Sequence, residues 1–292
     1  MDQRSLRGVI AAVPTPVSAD YVPDARRLAA HCRTLLATGC DGINLLGTTG
    51  EANSIPVAQR LQLMQDIAAS DLPMSRFMVG TGVCSLGESV QLTQAAADAG
   101  FAGALVLPPF FYPDPPPAAL TAYVDELLKR VDRPKLSVYL YHIPQNTGVP
   151  WPVQVVAELK RRFPGQLAGL KDSSGDLSYS RAVVKAVPGF DVFPSSEATL
   201  IHAKEDGFAG CISATTNLTA ADSQAAWQGG ADAKARGERA TAHRGVLGKV
   251  NLVGSVKAAL AQRYDDAEWA RTVPPIQQRS EEDARRLHEA LA

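Results

Sequence analysis

Short apolar runs rich in β-branched residues recur along this chain, each closed by turn residues and followed by a stretch with apolar side chains at helical spacing. The runs are Gly8 to Val13, Gly42 to Leu46, Arg76 to Val79, Gly103 to Leu107, Leu136 to Tyr141, Leu167 to Leu170, Asp191 to Phe193 and Gly210 to Ile212. Between them lie the amphipathic segments Asp24 to Ala37, Val57 to Ala69, Glu88 to Ala99, Pro117 to Val131, Pro152 to Phe163 and Ser178 to Val187. Turns such as Thr38-Gly39-Cys40 and Ala99-Gly100 suit left-handed caps at the helix ends. Eight βα units within roughly 215 residues fit the usual size, about 250 residues, of an α/β fold of the (β/α)8 TIM-barrel type. A doubly wound sheet ranks second. It calls for Gly-x-Gly-x-x-Gly after the first strand, where this chain has Pro14-Thr15-Pro16. Residues 1–218 therefore read as the barrel, and residues 219–292 as its last helix and a C-terminal helical extension.

Composition narrows the function classes. The 29 Lys+Arg against 30 Asp+Glu leave a net charge of -1, so nothing draws the chain to nucleic acid or an anionic membrane. With 46% hydrophobic and 20% charged residues, a 292-residue chain has material for one large core. The apolar stretch Val9 to Val13 is too short for a secretory signal and no run approaches a membrane span, so a cytoplasmic protein is expected. Cys32, Cys40, Cys84 and Cys211 form no Cys-x-x-Cys pair and read as structural thiols. His31, His142, His202, His243 and His288 show no ligand spacing, so neither a metal nor another cofactor is expected. Pro113 to Pro117 reads as a stiff loop with proline at a helix start, and Glu281 to Arg286 as a solvated helix face.

In a barrel the active site lies at the C-terminal strand ends, which are polar here. Lys171 closes the sixth strand, and alternation along Leu167, Gly169 and Lys171 points all three to one face, the barrel interior. Desolvation disfavours an ammonium relative to the neutral amine, and a neutral amine can attack a carbonyl to form a Schiff base. A lysine that snorkels to solvent or pairs with Asp172 is the alternative. Tyr141, sharing its face with Tyr139, is either a proton relay beside that lysine or a packing aromatic. The turn Gly47-Thr48-Thr49-Gly50-Glu51 offers backbone N–H groups and hydroxyls for a carboxylate, and Glu51 reads as a base or a structural cap.

Taken in order, Gly47-Thr48-Thr49-Gly50-Glu51, Tyr141-x-x-Pro144 and Gly169-Leu170-Lys171-Asp172 resemble the dihydrodipicolinate synthase and N-acetylneuraminate lyase family of class I pyruvate lyases, over nearly the whole chain. The resemblance implies a homotetramer or homodimer in which Lys171 forms an imine with a 2-oxo acid, Tyr141 relays protons and Thr49 is its hydroxyl partner. Thr48 and Thr49 then hold the substrate carboxylate, with Ser173, Ser195, Glu197 and Ile212 lining the rest of the site. Members that make dihydrodipicolinate carry an arginine where this chain reads Gln145-Asn146-Thr147, and a second tyrosine where it has Phe111. A neutral Asn146 cannot clamp a second carboxylate bidentately, so the expected reaction is reversible cleavage of a 2-keto-3-deoxy sugar acid to pyruvate and an aldehyde. A dehydratase, dihydrodipicolinate synthesis, a non-catalytic 2-oxo acid sensor and a phosphate-binding barrel isomerase are the alternatives, the last ranked lowest.

Overall fold

A computed structural model of the chain describes residues 6–291. Strands β1 (Gly8–Ala12), β2 (Gly42–Leu45), β3 (Phe77–Gly80), β4 (Gly103–Val106), β5 (Ser137–His142), β6 (Leu167–Asp172), β7 (Asp191–Pro194) and β8 (Gly210–Ser213) run parallel. Seven of the eight interfaces are hydrogen-bonded parallel ladders, in the order β7-β6-β5-β4-β3-β2-β1-β8. Across the remaining seam, Ala209 donates its N–H to the Val192 carbonyl at 2.9 Å. The architecture is the expected (β/α)8 barrel.

Helices α1 (Ala25–Ala37), α2 (Val57–Ala68), α3 (Leu86–Asp98), α4 (Pro117–Val131), α5 (Pro144–Thr147), α6 (Val153–Arg162), α7 (Leu177–Ala186) and α8 (Thr216–Gln228) follow the strands, α5 being a single turn. Local chemistry sets their starts: Asp24 accepts from the Arg27 N–H, Ser85 from Glu88 and Asp176 from Ser178, while Pro117 opens α4. Gly39 and Gly100 take the left-handed conformation at the ends of α1 and α3. The extension comprises α9 (Ala233–Leu247), α10 (Leu252–Tyr264) and α11 (Glu281–Leu291), the last carrying an exposed Glu282–Arg286 ion pair. Position 218/219 falls within α8, where Thr219 departs from helical geometry (φ -111, ψ 17).

Apolar side chains between strands and helices form two outer layers, one under α1–α3 and one under α4–α7. A third cluster, with Ile10, Met78, Leu105, Tyr139, Tyr141, Phe193 and Ile212, fills the barrel, and a fourth builds the extension around Leu247, Val256, Leu260 and Trp269. Cys32, Cys40 and Cys211 are core thiols, whereas Cys84 is exposed. Among the described residues no helix is long and apolar enough to cross a membrane.

The alternation expected for β6 breaks at its start. Val138 pairs with Leu167 but Tyr139 with Gly169, so Ala168 is an extra residue opposite a single step of β5. Such a bulge reverses the facing of everything before it. Leu167 consequently packs in the outer layer under α4 and α6, while Ala168 borders the interior cluster. Gly169 stays glycine for space, since a Cβ there would lie 2.8 Å from the Tyr139 ring and 2.1 Å from the Asp191 carbonyl oxygen. The strand also runs two residues beyond Leu170, placing Lys171 within its regular pairing, beside Tyr141 on β5 and Phe193 on β7.

Candidate active site

The pairing of β5 with β6 puts Lys171 next to Tyr141, and both side chains are all but withdrawn from solvent at 3% exposure each. Lys171 Nζ lies 3.3 Å from the Tyr141 hydroxyl, to which it donates, and 4.4 Å from the centre of the ring. It forms no ion pair among the described residues. Asp172 does not neutralise it: successive strand residues face opposite sides, and Asp172 accepts from the Ser174 N–H (2.9 Å) and the Ser180 hydroxyl (2.6 Å). The snorkelling and ion-pair readings of the lysine therefore fail.

Two further hydroxyls converge on Tyr141 Oη, Thr48 at 3.1 Å and Ser173 at 3.5 Å. Burial raises the phenol, but the charge of Lys171 and the hydrogen bonds from Ser173 and Thr48 outweigh it and bring the group below its ordinary value. The hydroxyl partner is Thr48 and not Thr49. Consecutive residues of a tight turn project apart, and here Thr48 points into the mouth while Thr49 is buried behind it.

Glu197 is corrected as a substrate contact. Fully enclosed at 0% exposure, it accepts from the hydroxyls of Ser213 (2.7 Å), Thr215 and Thr219 (3.2 Å) and from Arg244 Nη1 (3.4 Å). Four donors occupy the acceptor sites a carboxylate has, leaving none for a ligand. Ile212 is likewise an interior side chain, packed in the cluster that contains Ile10 and Tyr141. Ser195 stands half-buried at the mouth, its N–H continuing the β6–β7 ladder to the Asp172 carbonyl at 2.9 Å.

Glu51 is neither base nor cap. Its carboxylate pairs with Lys257 of α10 and accepts the Val273 N–H at 2.6 Å. Pattern reading also missed two supports of the site. Trp151 donates its indole N–H to the Tyr141 carbonyl at 3.2 Å, and Gln145 donates its amide to the Ser173 carbonyl at 2.7 Å. Neither has a periodic signature; Trp151 lies in the loop after α5 and Gln145 in its single turn, and each role exists only once that segment folds back over β5 and β6. Asn146, in α5, is exposed. Phe111 is 72% exposed, with its ring edge-to-face against Tyr112 at 5.3 Å. No group of three or more His, Cys, Asp or Glu able to hold a metal occurs among the described residues.

An enclosed amine without a counter-charge among the described residues, hydrogen-bonded to a phenol oxygen that also meets the hydroxyls of Thr48 and Ser173, is a set suited to imine formation and proton transfer at the adjacent carbon. Known proteins concur at the level of family. Residues 5–292 match the model of the dihydrodipicolinate synthetase family. An uncharacterized DapA-like lyase of Chloroflexus aurantiacus is 35% identical over 95% of this chain and 94% of its own. A 4-hydroxy-tetrahydrodipicolinate synthase of Thermus thermophilus is 33% identical over 72% of this chain and 69% of its own. Among solved structures, dihydrodipicolinate synthase from Agrobacterium tumefaciens superposes with a TM-score of 0.89 at 27% identity, covering 97% of each chain. That from Acinetobacter baumannii, complexed with pyruvate, gives 0.86 at 25% identity over 98% of each chain. With barrel, lysine and tyrosine in register and the match spanning the described chain, this protein belongs to the dihydrodipicolinate synthetase family, a family of lyases.

Proposed function

We propose that this chain is a class I aldolase that reversibly cleaves a 2-keto-3-deoxy sugar acid, or a similar 2-oxo acid, to pyruvate and an aldehyde. The observation that carries the reading is Lys171, an enclosed amine that donates to the Tyr141 hydroxyl at 3.3 Å and has no carboxylate partner among the described residues. Its nitrogen adds to the C2 ketone; the C2–N bond forms and the ketone oxygen leaves as water. The protonated imine then accepts the electron pair released when the C3–C4 bond breaks, while Tyr141 takes the C4 hydroxyl proton and an aldehyde departs. Returning that proton to C3 of the enamine, followed by hydrolysis, yields pyruvate and the free lysine. Thr48 and Ser173 hold the phenol oxygen throughout. The pyruvate complex of the Acinetobacter baumannii structure supports the same half of the substrate here.

For the other half, the mouth offers neutral groups. Asn146 is turned to solvent, Gln145 is spent on the Ser173 carbonyl, and Ser173 and Ser195 are half-buried hydroxyls suited to a polyhydroxylated chain. Residues 1–218 act as the catalytic barrel with 219–292 as its last helix and support. Assembly into a homotetramer or homodimer belongs to the same reading, supported by the exposed Phe111 and Tyr112 rings. The Thermus thermophilus relative favours a second reading, dihydrodipicolinate synthesis. Borohydride reduction in the presence of pyruvate tests the common step: an adduct on the Lys171 peptide is expected, and folded protein without one refutes the imine. Turnover of 2-keto-3-deoxy sugar acids against pyruvate plus aspartate semialdehyde separates the two readings.

A further inference from the structure

The turn that carries Thr48 is held in an unfavourable backbone. Leu46 (φ 49) and Glu51 (φ 55) bracket it, both in the left-handed region where a side chain with a Cβ is disfavoured. A segment of that kind keeps its shape only where its surroundings hold it. Within the barrel the holds are modest: the Thr15 hydroxyl donates to the Gly50 carbonyl at 2.7 Å, and the Glu51 N–H to the Thr48 carbonyl at 3.1 Å. The strong hold comes from outside. Glu51 and Lys257 meet with both side chains at 0% exposure; the other Glu51 oxygen accepts from the Val273 N–H at 2.6 Å, and Lys257 Nζ donates to the Arg271 carbonyl at 2.7 Å. Arg271 Nη1 in turn donates to the Val17 carbonyl at 3.0 Å, in the loop after β1. The turn is thus tied through two enclosed charges to the C-terminal extension, which among the described residues makes no side-chain hydrogen bond to Lys171 or Tyr141.

We infer that Glu51 and Lys257 are positioning residues: by clamping the turn against the extension they fix the Thr48 hydroxyl 3.1 Å from Tyr141, and so set the rate of proton transfer at C3 of the lysine-bound 2-oxo acid. This rests on the imine chemistry proposed above. Imine formation itself needs Lys171 and leaves the clamp uninvolved, so the two steps separate. In the imine of pyruvate, a C3 proton passes to Tyr141 as its electron pair moves to nitrogen, and the enamine takes a solvent-derived proton back. In D2O that cycle places deuterium in the pyruvate methyl group, without any second substrate.

The test compares the whole protein with Thr48→Val, with the paired neutral variant Glu51→Gln/Lys257→Met, and with the three changes combined. Borohydride trapping reports the imine, and NMR of pyruvate in D2O reports methyl exchange. The paired variant is expected to trap the adduct to the wild-type extent yet exchange up to about 10²-fold more slowly, the size of effect that a displacement of about 1 Å can produce. The combined variant should be no slower than Thr48→Val alone. Should the paired variant not fold, Glu51→Asp, which keeps both charges and shortens the arm, is expected to show the same split. Unchanged exchange, trapping and exchange falling by one common factor, or losses that multiply in the combined variant would each overturn the clamp. Wild-type protein that traps no adduct would instead overturn the aldolase reading, and the clamp with it.

Discussion

Two buried lysines in this molecule have opposite surroundings. Lys257 is the more enclosed, with no exposed side-chain surface, yet its ammonium is neutralised by the Glu51 carboxylate and also donates to the Arg271 carbonyl. Burial pushes it down and Glu51 counters part of that push. Lys171, at the barrel mouth, touches a phenol and a ring face, with no acid to neutralise it among the described residues. A buried charge given an opposite charge is architecture, whereas one left with a phenol neighbour is a candidate for reaction. Glu197 repeats the lesson with the sign reversed: it lies next to the mouth, but four donors close it off. Enclosure alone separates none of these; the partners do.

The contrast can be broken first at its reactive end. Lys171→Ala is expected to abolish pyruvate trapping altogether while leaving the thermal transition within a few degrees of wild type, because no ion pair is lost; a surviving adduct would move the nucleophile elsewhere. Tyr141→Phe should retain the adduct but slow substrate cleavage by about 10²–10⁴-fold, the usual range for a lost proton carrier. At the architectural end, Lys257→Met alone leaves Glu51 charged and enclosed, and denaturant unfolding should show a loss of about 3–5 kcal/mol. If stability falls by less than about 1 kcal/mol, the pair does not brace the turn against the extension.

A third buried titrating group sharpens the point through pH. His31 shares its ring nitrogens with Tyr264 (2.7 Å) and Asn217 (2.8 Å), and burial holds it down at about 4. An unfolded histidine titrates near 6.5, so below that pH the unfolded chain takes up a proton that the native ring refuses. The stability due to His31 is therefore complete above about 6.5 and disappears as pH falls towards 4, about 3 kcal/mol in all. Urea unfolding followed between pH 7 and 4 should show this slope, and His31→Gln should flatten it. The smallest effect is expected for Glu197→Gln, about 1–3 kcal/mol from imperfectly matched buried donors, with pyruvate trapping unaltered. Altered trapping would return Glu197 to the site.

Much of the barrel was legible because it is written in local periods. Short β-rich runs, helical spacing and capping residues such as Asp24, Ser85 and Pro117 each act within a few residues of themselves, so element positions agree closely with the observed ones. Lys171 and Tyr141 were legible for the same reason, as polar residues at strand ends. Misreadings occurred where one residue of offset mattered. The Ala168 bulge turns Leu167 away from the interior, and a turn projects Thr48 rather than Thr49 at the phenol. Period-2 reasoning cannot detect an inserted residue, and a two-threonine turn carries no mark of which hydroxyl points inward.

The amino-acid order alone determined that eight parallel strands would carry an amine and a phenol to the same end of a barrel, since strand facing and strand ends follow from neighbouring residues. Only the tertiary structure decided which ionisable groups are neutralised by neighbours. Glu51 finds Lys257 from another part of the chain, and Glu197 finds donors from β8, α8 and α9. Whether a buried charge is neutralised depends on what packs within a few ångströms of it, and those neighbours are set by the closure of the barrel and the docking of its extension rather than by sequence separation.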